Sequence, residues 1–421
     1  MKYSGVEWIG EIPENWKLNK IGQLFNLRNE KVSDKDYSPL SVSKGGIVPQ
    51  MENVAKSDAS DDRKLVLKGD FAINSRSDRK MSCGVSPLDG SVSLINTILY
   101  PKNDDVIYND YMNYLLKNYG FAEEFFRWGH GIVADLWTTK WQEMKSIMLP
   151  LPSVQKQKAT YDFLNQKTEE IDSLIEIENQ QIEKLKEYVE SSIYEYLKKE
   201  IGVSIKDMSF ESRTSMKKIG ALSNLVTKQT GFDYSNTIKP TMLDNPNEDS
   251  LPYLQTRNFK NNYFNLNTEF YVPKSTWEQF PKLILDDETL LFSIVGASIG
   301  NVAIFPKSEK AFLGGAICRV NLVDKEYALF IKEIMLSKFG QEQINRKINS
   351  NAQGTITVQN VRDFLIPMPS KKDAVRIGQK CESMRKEVDD LITIKEKKID
   401  VLTEYKKSLI YEYVTGKKEV C

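Results

Sequence analysis

Apolar positions along this chain fall into two regimes, and each regime occurs twice. Between residues 20 and 150, short β-type runs alternate with turn residues: Ser38-Pro39-Leu40-Ser41-Val42-Ser43 ahead of Lys44-Gly45-Gly46, then Lys64-Leu65-Val66-Leu67 and Phe71-Ala72-Ile73-Asn74. Tyr111, Leu115, Tyr119, Phe121 and Phe125 follow at near-helical spacing and predict one helix over 108–126. Beyond Pro152 the pattern changes. No proline or glycine occurs until Gly202, and apolar residues recur at Ile171, Leu174, Ile182, Leu185, Val189, Ser192/Ile193 and Tyr196. Steps of mostly three and four residues are the signature of a coiled-coil seam. Residues 202–366 return to short strands, the strongest being Leu290-Leu291-Phe292-Ser293-Ile294-Val295, with a helix predicted over 327–339. A second long helix over 371–414 carries Val388, Leu391, Ile399, Leu402, Leu409 and Tyr413 on its seam. Glu178 interrupts the first seam and Lys395 stands at the matching place in the second.

The two regimes repeat because the chain is duplicated. Leu149-Pro150-Leu151-Pro152 leads to Glu170-Ile171-Asp172-Ser173-Leu174-Ile175, and Ile366-Pro367-Met368-Pro369 leads to Glu387-Val388-Asp389-Asp390-Leu391-Ile392. The copies stay in register to Ser192-Ile193-Tyr194-Glu195-Tyr196-Leu197 and Leu409-Ile410-Tyr411-Glu412-Tyr413-Val414. Lys20-Ile21-Gly22 and Lys218-Ile219-Gly220 open the two halves, and an insertion between Val226 and Asp287 enlarges the second. A lone helix with a narrow apolar stripe cannot bury it, so each long helix needs the other. The expectation is an α+β chain with two pseudo-symmetric mixed α/β heads separated by two long antiparallel coiled-coil helices. Its segments are 1–152 (N-terminal arm and first head), 153–201 (first spacer helix), 202–369 (second head) and 370–421 (second spacer helix and tail).

Composition narrows the function. The chain has 421 residues, and its 58 basic residues balance 58 acidic ones. The overall basic excess of many nucleic-acid binders is missing, so any such contact needs local basic patches. No apolar run approaches the ~20 residues that span a bilayer, and the N-terminus lacks the apolar core of a signal peptide. Cys83, Cys318, Cys381 and Cys421 are far apart and form no Cys-x-x-Cys pair, which fits free thiols in a reducing cytoplasm. His130 is the sole histidine, which excludes a His-His metal site.

Catalytic motifs are also missing. Asn245-Pro246-Asn247 lacks the second proline and the aromatic of an amino-methyltransferase motif. Gly296-Ala297-Ser298-Ile299-Gly300 has no Lys-Ser/Thr after it and reads as a turn rather than a phosphate loop. Asp61-Asp62 and Asp286-Asp287-Glu288 are unremarkable among so many acids. The chain reads as a binder with no catalytic centre and no metal of its own.

Ser4-Gly5-Val6-Glu7-Trp8-Ile9-Gly10-Glu11-Ile12-Pro13-Glu14-Asn15-Trp16 resembles the N-terminus of the specificity (S) subunit of type I restriction-modification enzymes. Leu149-Pro150-Leu151-Pro152 before a long helix and the terminal Val414-Thr415-Gly416-Lys417 resemble the same family, in order, over essentially the whole chain. The resemblance implies that each head is a target-recognition domain reading one half of a bipartite, asymmetric double-stranded DNA site. It also implies that two modification (adenine methyltransferase) subunits and the restriction (nuclease/translocase) subunits dock on the spacer. S-adenosylmethionine, ATP and Mg²⁺ then belong to those partners, and this chain holds no cofactor. The partners imply a bacterial or archaeal cytoplasm and no membrane.

Helical rise gives the spacer over 169–197 a length of about 40 Å, close to the 34–36 Å of one turn of B-DNA. Base reading calls for loops rich in Arg, Lys, Asn, Gln and Ser. In the first head these are Lys44, Gly45 and Gly46, with Ser75, Arg76, Arg79 and Lys80. In the second they are Gln255, Arg257, Asn258, Lys260 and Asn261, with Ser298 and Asn301 from the glycine turn. Each loop also reads as an ordinary solvated turn, and His130 as a loop residue. The competing readings are a coiled-coil protein-interaction scaffold that ignores DNA and the reader subunit of a type II-like system.

Overall fold

Each half begins with the same small device. In the computed structural model, Lys17–Lys20 runs into the one-turn helix Ile21–Leu24 and out along Phe25–Arg28, while Ser215–Lys218, Ile219–Leu222 and Ser223–Lys228 repeat this order. The proline-bearing strands Met148–Leu151 and Leu365–Met368 pair antiparallel with the first strand of each device, Met148 opposite Lys20 and Leu365 opposite Lys218. Proline is tolerated there because each pair is only two strands wide. The structure describes the whole chain except residues 51–61, 77–78, 132–136, 203–214, 261–262, 349–353 and 421, and at 259, 260 and 263 it describes the backbone alone. The chain divides into two units, residues 1–178 with 397–421 and residues 179–396.

The first unit holds a four-stranded antiparallel sheet in the order Cys83–Val85, Phe71–Asn74, Asn96–Pro101, Phe25–Arg28. The second unit repeats this order with Val302–Phe305, Thr289–Ser293, Ile317–Leu322 and Ser223–Lys228. The predicted buried strand at 290–295 is thus an interior strand, with all five of its residues buried. Between the edge strand Ser223–Lys228 and Ile284–Leu285 the second unit carries short helical turns over 231–241 and the strands Leu251–Leu254 and Tyr271–Val272. These join Ala311–Leu313 in a second sheet, in which Leu251–Leu254 and Ala311–Leu313 run parallel.

The single helices expected at 108–126 and 327–339 are each two helices. Asn109–Leu115 stops before Asn118, whose side chain accepts the Phe121 N–H at 3.0 Å and donates to the Leu115 carbonyl at 2.7 Å. One amide closes one helix and caps the next, Tyr119–Arg127. Ser337 stands at the equivalent break between Ala328–Leu336 and Lys338–Asn345, its hydroxyl donating to the Ile334 carbonyl at 2.7 Å. Apolar spacing continues across both breaks and hides them.

The long helices are Val154–Ile201, 48 residues, and Lys371–Val414, 44 residues. They pair antiparallel within each unit, for as partners climb on one helix they fall on the other. Asp172 meets Lys406 and Glu178 meets Lys398 in the first unit, both at 2.6 Å. Glu190 meets Arg385 and Glu200 meets Arg376 in the second, again both at 2.6 Å. Ile171 and Leu409 are buried in the first unit, with Ile399 and Leu402 half-buried; Ile182, Val189 and Val388 are buried in the second, with Leu185 half-buried.

Two seam assignments are corrected. Leu174 is 44% exposed and Leu391 48% exposed; Ile175 packs on the core of the first unit and Ile392 is buried in the second. From Ile171 or Val388 a step of three and a step of four both land on an apolar residue. Only the step of four stays in phase with Glu178 and Ile182, or with Lys395 and Ile399, so the isoleucine turns inward in each copy. Glu178 is itself buried, and Lys398 satisfies it.

The N-terminal arm is built into the first unit. Trp8, Ile9, Ile12 and Trp16 are buried with Tyr111, Leu409 and Val414. The Tyr411 hydroxyl donates to the Trp8 carbonyl at 2.8 Å, Lys417 Nζ to the Ile9 carbonyl at 2.7 Å, and Trp16 Nε1 to Glu419 at 3.1 Å. Gly416 has φ +74°, and a Cβ there would lie 2.5 Å from Pro13 Cδ. The Thr415-Gly416-Lys417 element therefore meets the arm and needs its glycine for both backbone angle and space.

Candidate nucleic-acid interface

In the first unit the two predicted loops arise from different local causes. Lys44-Gly45-Gly46 forms the tip of a hairpin between Leu40–Ser43 and Gly46–Pro49, and the Ser43 hydroxyl donates to the Gly46 carbonyl at 2.9 Å. Gly46 takes φ +115°, a turn conformation open to glycine, and leaves Lys44 exposed at the tip. The second loop leaves the sheet at Asn74, whose side chain accepts the Arg76 N–H at 3.0 Å. Arg76 and Arg79 are exposed, and the backbone of Arg79 donates to the Arg76 carbonyl at 3.2 Å.

Two residues of that loop are structural rather than presented. Ser75 is buried with its hydroxyl 3.0 Å from that of Thr97. Lys80 turns onto the unit, 3.0 Å from Glu123 and 4.2 Å above the centre of the Phe126 ring. His130 is exposed and exchanges two backbone hydrogen bonds with Thr138, at 2.9 and 3.0 Å, which makes it a strand-like spacer in the neighbouring loop.

In the second unit the loop after Leu251–Leu254 forms one wall of a cavity of about 600 Å³. Gln255 and Arg257 line it together with Lys228, Thr230 and Tyr253, and the Gly314-Gly315 turn forms its back. Arg257 is exposed and pairs with Glu269 at 2.8 Å. Asn258 does not face the cavity opening as a reader would. It is 1% exposed, its carbonyl oxygen accepts the Gln255 N–H at 2.7 Å, and its NH₂ donates to the carbonyls of Asn265 and Asn267 at 2.6 and 3.0 Å. With both ends of its amide engaged, Asn258 shapes the loop that presents Gln255 and Arg257.

Ser298 hydrogen-bonds Ser293 at 2.8 Å inside the glycine turn, and Asn301 closes that turn through its backbone at 2.9 and 3.1 Å. The Lys260 side chain and Asn261 lie outside the described residues. Sequence reasoning missed Lys228, Gln229 and Thr230. Their only signal was a polar run between the strand ending at Lys228 and the glycine at 231, inside the inserted stretch.

Known proteins place this geometry. Residues 232–404 match the family model described as the type I restriction modification DNA specificity domain. The chain is thus similar to type I restriction-modification specificity subunits, over residues 232–404 by that family model and over nearly its whole length by a relative. It is 24% identical to a Methanocaldococcus jannaschii protein named "Putative type I restriction enzyme MjaX specificity subunit", over 98% of this chain and 96% of that one. It is 22% identical to the MjaVIII specificity subunit of the same organism, over 66% of this chain and 63% of that one. In fold it is similar to a solved chain from a study of complex assembly and conformational transition of the type I R-M system. That chain has a TM-score of 0.70 at 11% identity, and the match covers 97% of this chain and all of the other. The α+β plan, with its two mixed units and long helices, is therefore shared with that chain. Among the described residues no helix is long and apolar enough to cross a membrane.

Proposed function

We propose that this chain is the DNA sequence-recognition subunit of a type I restriction-modification enzyme. Each unit reads one half of a bipartite, asymmetric site in double-stranded DNA. The paired helices set the separation of the half-sites and dock two modification subunits, which carry S-adenosylmethionine and methylate adenine. Restriction subunits that consume ATP with Mg²⁺ complete the nuclease. This chain then supplies the address and no chemistry, in the cytoplasm of a bacterium or archaeon.

The observation that carries the reading is the duplicated sheet. The same four-strand order, the same strand–turn–strand device and the same proline-bearing strand occur once in each unit, and each copy leads into a long helix. Duplicated readers with different loops suit a site whose halves differ. The exposed Lys44, Arg76 and Arg79 of one unit, and Lys228 and Arg257 of the other, supply the local positive charge that a neutral chain needs to meet phosphates.

Methylation mapping tests the proposal. The chain is assembled with the modification subunit of its own system, given genomic DNA, and the modified adenines are sequenced. Two short motifs separated by a constant unspecified gap are expected. One added heptad in both helices should lengthen that gap by about three base pairs, from ~10.5 Å of helix, while leaving the half-sites unchanged. Methylation without a split motif, or half-sites that change with helix length, would defeat it.

A further inference from the structure

Gln229 sits at the back of the second unit's cavity and is only 2% exposed. Its Oε1 accepts the Tyr253 hydroxyl at 2.9 Å. Burial raises the Tyr253 phenol to about 12, so it keeps its proton at neutral pH. That proton is donated to the amide oxygen. That arrangement orients the glutamine amide with Oε1 toward Tyr253 and Nε2 away from it.

Nε2 is buried and has no hydrogen-bond partner. The chain packs so tightly on itself here that the wall is made of glycine. A Cβ at Gly314 would lie 1.9 Å from the Leu254 carbonyl oxygen, and one at Gly315 would lie 3.0 Å from Gln229 Oε1. A buried amide NH₂ with no acceptor is costly, and folded proteins rarely leave one unless something else supplies the acceptor. Lys228 and Arg257 on the cavity wall carry the charge that draws a phosphate backbone to the opening.

We propose that Gln229 is the specificity-determining residue of this cavity, donating from Nε2 to the O6/N7 edge of a guanine in the half-site read by the second unit. The inference rests on the DNA-reading function proposed above. Guanine alone presents two adjacent acceptors in the major groove. Adenine places a donor beside N7, cytosine presents a donor, and thymine sets a methyl group beside O4. With Oε1 held by Tyr253, the glutamine meets the base as a donor only, which excludes the paired donor–acceptor contact by which glutamine reads adenine.

The test uses the full chain assembled with its modification subunits, at one salt concentration, on duplexes varied base by base in the second half-site. Replacing one guanine by 7-deazaguanine should weaken wild-type binding about tenfold or more. The Gln229→Ala assembly should lose its sensitivity to that replacement, and Gln229→Glu should shift preference at the same position toward a base presenting a donor. Lys228→Ala should weaken all sequences evenly. Retained sensitivity to deazaguanine in Gln229→Ala, or no sensitive guanine in the half-site, overturns the inference. A wild-type series with no sensitive guanine overturns the inference even if a variant folds poorly, and the conservative Gln229→Glu assembly carries the test where Gln229→Ala does not assemble. A guanine preference at that position that survives in every Gln229 variant sinks this inference alone, whereas a wild-type assembly with no sequence preference sinks the proposed function with it.

Discussion

Arg385 joins three helices of the second unit and offers a sharp test of what holds a recognition domain to its spacer. It is 3% exposed; Nε donates to Glu333 at 3.0 Å and Nη1 to Glu190 at 2.6 Å. Burial works against its charge, but Glu333 and Glu190 outweigh burial and raise its pKa. Burial likewise pushes the Glu333 carboxyl up, opposed by Arg385 and Lys332. In Arg385→Leu, Glu333 keeps only Lys332, at 3.2 Å, and Lys332 is already paired with Glu382. Glu190 is 34% exposed and can rehydrate, so the damage falls on Glu333, which is 0% exposed.

Removing one member of a buried pair costs about 3–5 kcal/mol, against about 0–1 for a surface pair. Amides of Ala328–Leu336 that exchange by opening of this unit should therefore exchange at least about a hundredfold faster in Arg385→Leu. The double variant Arg385→Leu/Glu333→Leu leaves the Lys332–Glu382 pair neutral and should recover to within about tenfold of wild type. Hydrogen-exchange mass spectrometry reads both. A double variant that exchanges as fast as the single one would show that lost packing, not a stranded carboxylate, loosens the unit.

Three further outcomes are expected. In urea titrations Ile392→Ala should lose about 2–4 kcal/mol while Leu391→Ala stays within about 0.5; equal losses would return Leu391 to the seam. Lys156 holds the Glu419 carboxyl below the usual glutamate range. Its contacts with Lys156 and Trp16 are thus complete above the ordinary glutamate pKa and fade as pH falls through the lowered one. Acidification should change tryptophan emission in the wild type by a step missing from Glu419→Gln, and identical profiles would refute the contact. Burial pushes the Cys83 and Cys318 thiols up to about 12. Both should resist alkylation at pH 8 until urea opens the fold, and rapid labelling of native protein would contradict their burial.

How much of this was legible beforehand depends on the range over which each signal acts. The duplication, the two long helices and the interior strand rest on patterns repeated over many residues, and packing could not overturn them. The helix breaks at Asn118 and Ser337 rest on single side chains that redirect the backbone, a cue drowned by apolar spacing that continues across the break. Leu174 and Ile175 are both apolar, so hydrophobicity cannot choose between them; only the phase set by Glu178 and Ile182 can. In the candidate site, Arg76, Arg257 and Gln255 were marked by composition, which finds polar loops but not which way an amide points. Asn258 was marked as a reader and proved to be a loop brace, while Gln229 carried no mark and lies at the back of a cavity. The two amides differ only in whether the folded chain supplies their partners, and a linear sequence does not record that.

The polar interruptions of the seam show why the two copies were free to diverge in charge. Glu178 corresponds in the repeat to Lys395, and Lys398 to Gln181. The structure pairs Glu178 with Lys398 in one unit and Lys395 with Gln181 in the other, so one repeated contact is filled once by an ion pair and once by a lysine–amide bond. Suppose instead that the second helix paired with another copy of itself in the same register. Lys395 would face Lys398, Arg385 would face Lys407 where it now meets Glu190, and Arg376 would face Lys417 where it now meets Glu200. Lys398, Arg385 and Arg376 each meet an acid of the first helix, and of the four cross-helix ion pairs only that of Lys406 would keep an acid opposite, Asp389 in place of Asp172. The apolar seams alone are too similar to choose a partner, whereas the flanking charges reject the second helix's own copy. Pairing of the second helix with the first, rather than with its own copy, is therefore the arrangement these charges favour.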